Sequence, residues 1–164
     1  MAKIDTAIFD AGPFIHLQQI GSLEVLTQFR KIIISKQVKD ELLGGFPLPK
    51  NCIVVGLTGK SKDLTKMTSE RYDLGLGESS AIALAKQEGI KLFFTDDLTA
   101  RETAKRFGLT PHGTLAILTR AVREETISKQ KAIMCLEKLR TQSSMYLTAD
   151  LVEWTRKQIE TYHK

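Results

Sequence analysis

The chain has 164 residues, 42% hydrophobic and 26% charged, the proportions of a single globular domain with its own core. No apolar run approaches the ~20 residues of a membrane helix, and "MAKIDTAIFD" places an acid where a secretion signal needs its apolar stretch, so the expectation is a chain neither exported nor membrane-bound. A formal net charge of +5 leans toward a polyanionic partner, and the distant cysteines Cys52 and Cys135 read as free, buried thiols of a cytoplasmic protein.

In chain order, "DTAIFD" reads as a strand and "PFIHLQQIG" as a short helix, with Pro13 in its first turn and Gly21 as its stop. "SLEVLTQF" is expected to be a second short helix from Ser22. "KIIIS" reads as a strand, with Ser35 capping a helix "KQVKDELL" that ends at Gly44-Gly45. "CIVVGL" is another strand. The polar stretch from Thr58 to Leu76 has few apolar anchors and is expected to be loop, with one helical turn at most. "GESSAIALAKQEG" is a helix with Ala81, Ile82 and Ala85 on its apolar stripe and Gly89 as its stop. "IKLFFTDD" is a strand and "TARETAKRFGL" a helix. Beyond Gly113 the pattern is helical almost to the end, in three segments with Thr114, Ser128 and Thr148 as N-caps. Short apolar strands alternating with helices predict an α/β sandwich on a parallel sheet. No repeat or linker interrupts it.

Carboxylates recur at the edge of this core. Asp10 closes the first strand, and Asp96 and Asp97 close "KLFF". Parallel neighbours would bring these strand ends to the one rim where open α/β sheets bind ligands. Glu78 lies one turn before Ala81 and Ile82, so it shares the sheet-facing side of its helix. Glu41 follows Val38 by three residues and adjoins Leu42. Each has an ordinary reading taken alone: Asp10 and the Asp96–Asp97 pair as helix caps, Glu78 as a favourable charge at a helix N-terminus, Glu41 as a solvated surface group. Taken together they form an all-oxygen donor set, which suits Mg²⁺ or Mn²⁺ better than zinc.

In order, "IFDAGPFIHL", "ISKQVKDEL", "LGLGESSAIALA", "FFTDDLTARETAKRFGL" and "HGTLAIL" resemble the blocks of a PIN-domain protein, closest to the prokaryotic VapC-like toxins and their relatives with a Gly-Glu helix motif. The resemblance spans roughly residues 3–125. It implies a three-layer α/β/α sandwich with a central, mostly parallel sheet as residues 1–125. Residues 126–164 would be extra C-terminal helices packed on the same domain or on a dimer partner. It also implies a Mg²⁺- or Mn²⁺-dependent ribonuclease that leaves a 5′-phosphate and a 3′-hydroxyl. Carried over by position, the catalytic acids are Asp10, Glu41, Glu78 and Asp97, with Asp10, Glu78, Asp97 and the helper Asp96 as metal ligands. Arg101 and Lys105, one turn apart, are candidates for phosphate contact, and equally for a solvated helix face. The implied partners are RNA, a small antitoxin protein and a second copy of the chain, with no membrane. Two departures stand out: Ala11 where many relatives carry Ser, Thr or Asn, and Thr99 where many toxins carry Asp.

A haloacid-dehalogenase-type phosphatase also opens with a strand ending in Phe-Asp, but needs a second Asp where this chain has Gly12. A receiver-type phosphoacceptor would place its paired acids near the first strand rather than late in the fold. The rival of a different class is a PIN fold kept as a non-catalytic module that binds RNA or protein.

Overall fold

The computed structural model describes residues 6–163. Asp5, where the first strand was expected to begin, and Lys164, the expected end of the last helix, lie outside the described residues. Five parallel strands form the central sheet: β1 (Thr6–Phe9), β2 (Lys31–Ser35), β3 (Cys52–Val55), β4 (Leu92–Phe94) and β5 (Thr110–His112), in the order β3-β2-β1-β4-β5. The eight α-helices are α1 (Ala11–Gln19), α2 (Lys36–Glu41), α3 (Gly59–Tyr72), α4 (Leu76–Glu88), α5 (Leu98–Arg106), α6 (Thr114–Arg123), α7 (Lys129–Gln142) and α8 (Ala149–Glu160), with a 3-10 helix over Leu23–Gln28. Helix α4 lies across β1, β2 and β4 with α3 behind it. Helices α1, α6 and α7 and the 3-10 helix pack on one another as the other layer. This is the three-layer α/β/α architecture, with a sheet that is wholly parallel.

Strand β2 shows why the sheet needs both layers. Ile32, Ile33 and Ile34 are consecutive and all buried, so neither face of the strand meets water. At the centre, Phe9 sits in an aromatic group, its ring centroid 5.3 Å from Phe14, 5.3 Å from Phe29 and 4.8 Å from Phe94. These rings tie β1, α1, β4 and the segment before β2 into one core. Leu136 and Leu139 of α7 are fully buried in that same core, and Val152 of α8 joins it. Cys135 is buried and Cys52 half-buried, both as free thiols, and burial pushes the Cys52 thiol up to about 11.

The Thr58–Leu76 stretch is a fourteen-residue helix rather than a loop. Thr58 caps it, its hydroxyl accepting from the Ser61 N–H, and Asp73 ends it at φ 53° with its N–H bonded to Ser69 O. The buried positions are Ser61, Thr65 and Thr68, which carry the helical period on small hydroxyl side chains. The Thr65 hydroxyl donates back to Ser61 O and the Ser61 hydroxyl accepts from Thr58, whereas the Thr68 hydroxyl is buried without a hydrogen-bond partner. A search for an apolar stripe passes over such a face.

Other departures are local. The segment after Ser22 winds as a 3-10 helix, and the Ser22 hydroxyl contacts the Cys135 thiol at 3.3 Å instead of capping. Helix α2 stops at Glu41, before the glycines, because Leu42 turns extended at ψ 111°. Strand β5 falls on "TPH", too short and too polar for an apolar-run reading. Gly113 caps α6, while the Thr114 hydroxyl donates to Asp96.

Because Phe9 contacts three other buried rings, Phe9→Ala is expected to lower unfolding free energy by about 3–5 kcal/mol. Urea denaturation followed by circular dichroism measures it; a loss under about 1 kcal/mol would show that these rings do not hold the layers together.

Candidate active site

The chain builds β1, β2 and β3 outward in one direction, then returns to place β4 and β5 on the other side of β1. The strand order therefore reverses between β1 and β4, and a crevice opens at their C-terminal ends. The Asp10 N–H donates to Phe94 O at 2.9 Å, clamping the two ends together.

Asp10 forms the floor of the crevice and is only 4% exposed. One carboxylate oxygen accepts from the Ala11 N–H at 2.8 Å and the other from the Thr95 hydroxyl at 3.0 Å. Burial, reinforced by the charges of Glu78 and Glu41, pushes its carboxyl up to about 7 against the pull of those two hydrogen bonds. Asp10 is thus the N-cap of α1 and a strained carboxylate at once.

Glu78 stands half-buried at the third position of α4, where its Oε2 accepts from the Gly75 N–H at 2.7 Å. Burial, then repulsion by Asp97 and Glu41, raises its pKa above the ordinary value against that bond. Glu41 is the last residue of α2, a position where a negative charge opposes the helix dipole. Its carboxylate finds compensation from the Gly77 N–H in the first turn of α4, while the protein around it raises its pKa. Asp97 caps α5, its Oδ1 accepting from the Ala100 N–H at 2.7 Å. Each of these four acids influences at least one other, so Asp10, Glu41, Glu78 and Asp97 share one rim.

The "GLGE" glycines are required by this crowding. A Cβ on Gly77 would run into the Glu41 carboxylate, and one on Gly75 would lie 2.8 Å from Glu78 Oε2. Ser35 and Ser80 set the spacing beneath. The Ser80 hydroxyl donates to Gly77 O at 2.8 Å and stands 2.7 Å from the Ser35 hydroxyl, which in turn accepts from the Val38 N–H of α2. This buried chain fixes α2 against α4, and hence Glu41 against Gly77.

Asp96 is placed differently from its neighbour. Its Oδ2 lies 2.6 Å from His16 Nδ1 and accepts from the Thr114 hydroxyl at 2.6 Å, and its Oδ1 accepts from the Thr114 N–H at 2.7 Å. Burial pushes this carboxyl up, but the bonds from His16 and Thr114 outweigh it and hold Asp96 below the usual range. Both oxygens are engaged in joining α1, β4 and α6, so Asp96 is not one of the mutually repelling acids. Arg101 and Lys105 also part company. Arg101 folds back, its Nε donating to Thr95 O at 3.0 Å and its guanidinium 3.8 Å from Asp96 Oδ1, in space that a side chain at Gly113 would fill. Lys105 is exposed and pairs with Glu102 on its own helix.

Sequence reasoning missed His16, Thr95 and Ser80, and read Thr114 as a helix cap rather than as a partner of Asp96. Of the three, only Thr95 carried a signal, as the first residue of "TDD".

The donor set fits a hard divalent cation in kind: it is all oxygen and anionic, and burial together with the charges of neighbouring acids raises Asp10 and Glu78, which a cation would relieve. The positions are not closed around a point. Among the described residues no three Asp, Glu, His or Cys side chains converge tightly enough to hold a metal ion together. Glu41, Glu78 and Asp97 each rest on a backbone N–H instead.

Fold and rim together define an α/β/α protein of nuclease type. A family model described as "DUF3368: PIN domain" matches residues 6–161, almost the whole chain and past residue 125 into α8, and the protein belongs to this PIN-domain family. PIN domains are commonly nucleases, which makes hydrolase the coarse class. No curated protein and no solved structure matches the chain. Among the described residues no helix is long and apolar enough to cross a membrane.

The raised Asp10 sets a pH dependence for cation-free protein. A carboxyl that titrates at about 7 when folded, against an ordinary 3.8, favours the fold while protonated. That contribution is complete below pH ~4 and disappears as pH rises through 7, a change on the order of 4 kcal/mol. In EDTA, the melting temperature of the wild type is expected to fall between pH 5 and 8. Asp10→Asn, neutral throughout, should melt several degrees higher than wild type at pH 8 and show no advantage at pH 4. A wild type whose melting point is flat or rising over this range would contradict the electrostatics described.

Proposed function

We propose that the protein is a Mg²⁺- or Mn²⁺-dependent endoribonuclease of the VapC-like branch, with Asp10, Glu41, Glu78 and Asp97 as its catalytic acids. The observation that carries this reading is that burial raises Asp10, Glu41 and Glu78 above their ordinary pKa values on one sheet rim, with the charges of neighbouring acids adding to it at Asp10 and Glu78. Asp10, Glu78 and Asp97 would hold the cation. When bound, it supplies Lewis-acid activation and charge neutralisation at the scissile phosphate. Asp97 or Glu78 orients the attacking water, and Arg101 meets a phosphate oxygen at the edge of the rim. Water adds to phosphorus and the bond to the 3′ oxygen breaks, leaving a 5′-phosphate and a 3′-hydroxyl. The same reading extends to a cytoplasmic toxin that pairs with a second copy and is silenced by a small antitoxin.

A second reading is favoured by the absence of a ready-made three-ligand group among the described residues: a non-catalytic PIN-fold module that binds RNA or protein.

Cleavage assays separate the two. Purified protein with single-stranded RNA and Mn²⁺ or Mg²⁺ is expected to give 5′-phosphorylated products, with the rate lowered about 100-fold or more in Asp10→Asn. Mn²⁺ should raise the melting temperature of wild type more than that of the variant. RNA that binds and stays intact with every cation tried sinks the enzyme reading. Gly77→Ala adds a sharper check. Alanine ordinarily improves a helix by up to about 1 kcal/mol, so the fold should survive, while the new methyl displaces Glu41. Retained circular dichroism with reduced cleavage is the expected result; unimpaired cleavage would remove Glu41 from the catalytic set.

A further inference from the structure

A groove of about 800 Å³ runs between α6 and α8, beside the C-terminal end of β5. Its volume is that of a small-molecule site and can hold a nucleotide. Arg101 and Gly113 line its inner end and border Asp96, and the Arg101 N–H bonds Asp97 O in the first turn of α5, so the groove opens one residue from the rim acid Asp97. Trp154 of α8 lines it and is 59% exposed, a large aromatic face left in solvent. Tyr162 lines the groove further along.

The fixed charges lining the groove, Arg101 and Arg123, are both positive. Arg101, Arg123, His112 and His163 line it, and no carboxylate does among the described residues. His112 reports the field. Crowding by protein, then the charges of Arg101, Arg120 and Arg123, hold its imidazole below the ordinary value, with no acid raising it. Arg120 is paired with Glu124 at 3.3 Å, whereas the Arg123 guanidinium has no carboxylate partner among the described residues. An aromatic plane beside the unneutralised Arg123 guanidinium, with Arg101 at the inner end, suits a stacked base with flanking phosphates. An apolar protein segment would leave Arg123 without counter-charge.

We infer that this groove seats a nucleotide of single-stranded RNA, its base stacked on Trp154 and its phosphates against Arg123 and Arg101, so that the adjoining backbone lies at the carboxylate rim. This inference rests on the ribonuclease reading for the identity of the polymer, but it assigns a different part of the molecule. It makes α6 and α8 the substrate-positioning surface, and gives the C-terminal helix a role beyond packing.

Trp154 is the sole tryptophan, so its emission reports the groove directly. Oligouridylate is titrated in EDTA at low salt, following tryptophan emission and the anisotropy of labelled RNA. The inference expects quenching that saturates with binding, and affinity about tenfold weaker in Trp154→Ala. Arg123→Gln should weaken binding several-fold and reduce the salt slope by about 0.7. Both positions are exposed, so the variants should fold, which circular dichroism checks. Inorganic polyphosphate quenching as strongly as RNA would reduce the groove to a general anion surface and overturn the base contact. Emission that changes with protein concentration alone would mean that a second copy covers Trp154, and would overturn the inference. In Mn²⁺, KM raised in both variants with kcat unchanged supports it. Cleavage untouched by either variant sinks the groove and leaves the nuclease reading standing. Bound, quenched and uncleaved RNA does the reverse.

Discussion

Like charges do not gather without compensation, and the rim of this sheet gathers four. The fold meets the repulsion by opening helices α1, α4 and α5 at that rim. Asp10 and Asp97 accept the N–H groups that begin α1 and α5, and Glu41 and Glu78 share the N-terminus of α4. Helix N-termini carry partial positive charge and unbonded N–H groups, so each carboxylate is met by a local dipole rather than by an ammonium or guanidinium ion. The compensation is incomplete at Asp10, Glu41 and Glu78, whose pKa values stay raised. That residue of unrelieved charge is what a polyvalent cation can answer.

Adjacent aspartates show how sharply local geometry divides roles. Asp96 turns toward α1 and α6, meets His16 and Thr114, and is held as a low-pKa structural joint. Asp97 turns back toward α5 and Glu78, and keeps its side chain exposed at the rim. One carboxylate fastens the rim to the helices beneath it, and the other stays among the rim acids, close enough to raise Glu78. The hydroxyl chain from Ser35 through Ser80 to Gly77 does the equivalent service on the far side of the crevice.

The strands and most helices were legible because their periods are carried by apolar residues with clear stops. "KIIIS" sits on β2, and Gly89 ends α4 at φ 67°. Helix α3 was illegible because its buried face is Ser61, Thr65 and Thr68, and β5 because a three-residue edge strand holding Pro111 has no apolar alternation. The chain positions of the rim acids could be read from strand ends and helix starts. Their dual nature could not: Asp10 and Asp97 were weighed as caps or site residues, and they are N-caps that also stand on the rim. The partner of Glu41 was equally hidden, since a contact with Gly77 depends on how α2 and α4 pack. No spacing within either helix encodes that.

The four acids come from four successive strand–helix connections: after β1, after β2, before β4 and after β4. No local segment contains two widely separated members, so the charged group exists only when the whole sheet is closed. The four-acid rim is therefore complete only once β4, with Asp97 just beyond its end, has paired beside β1.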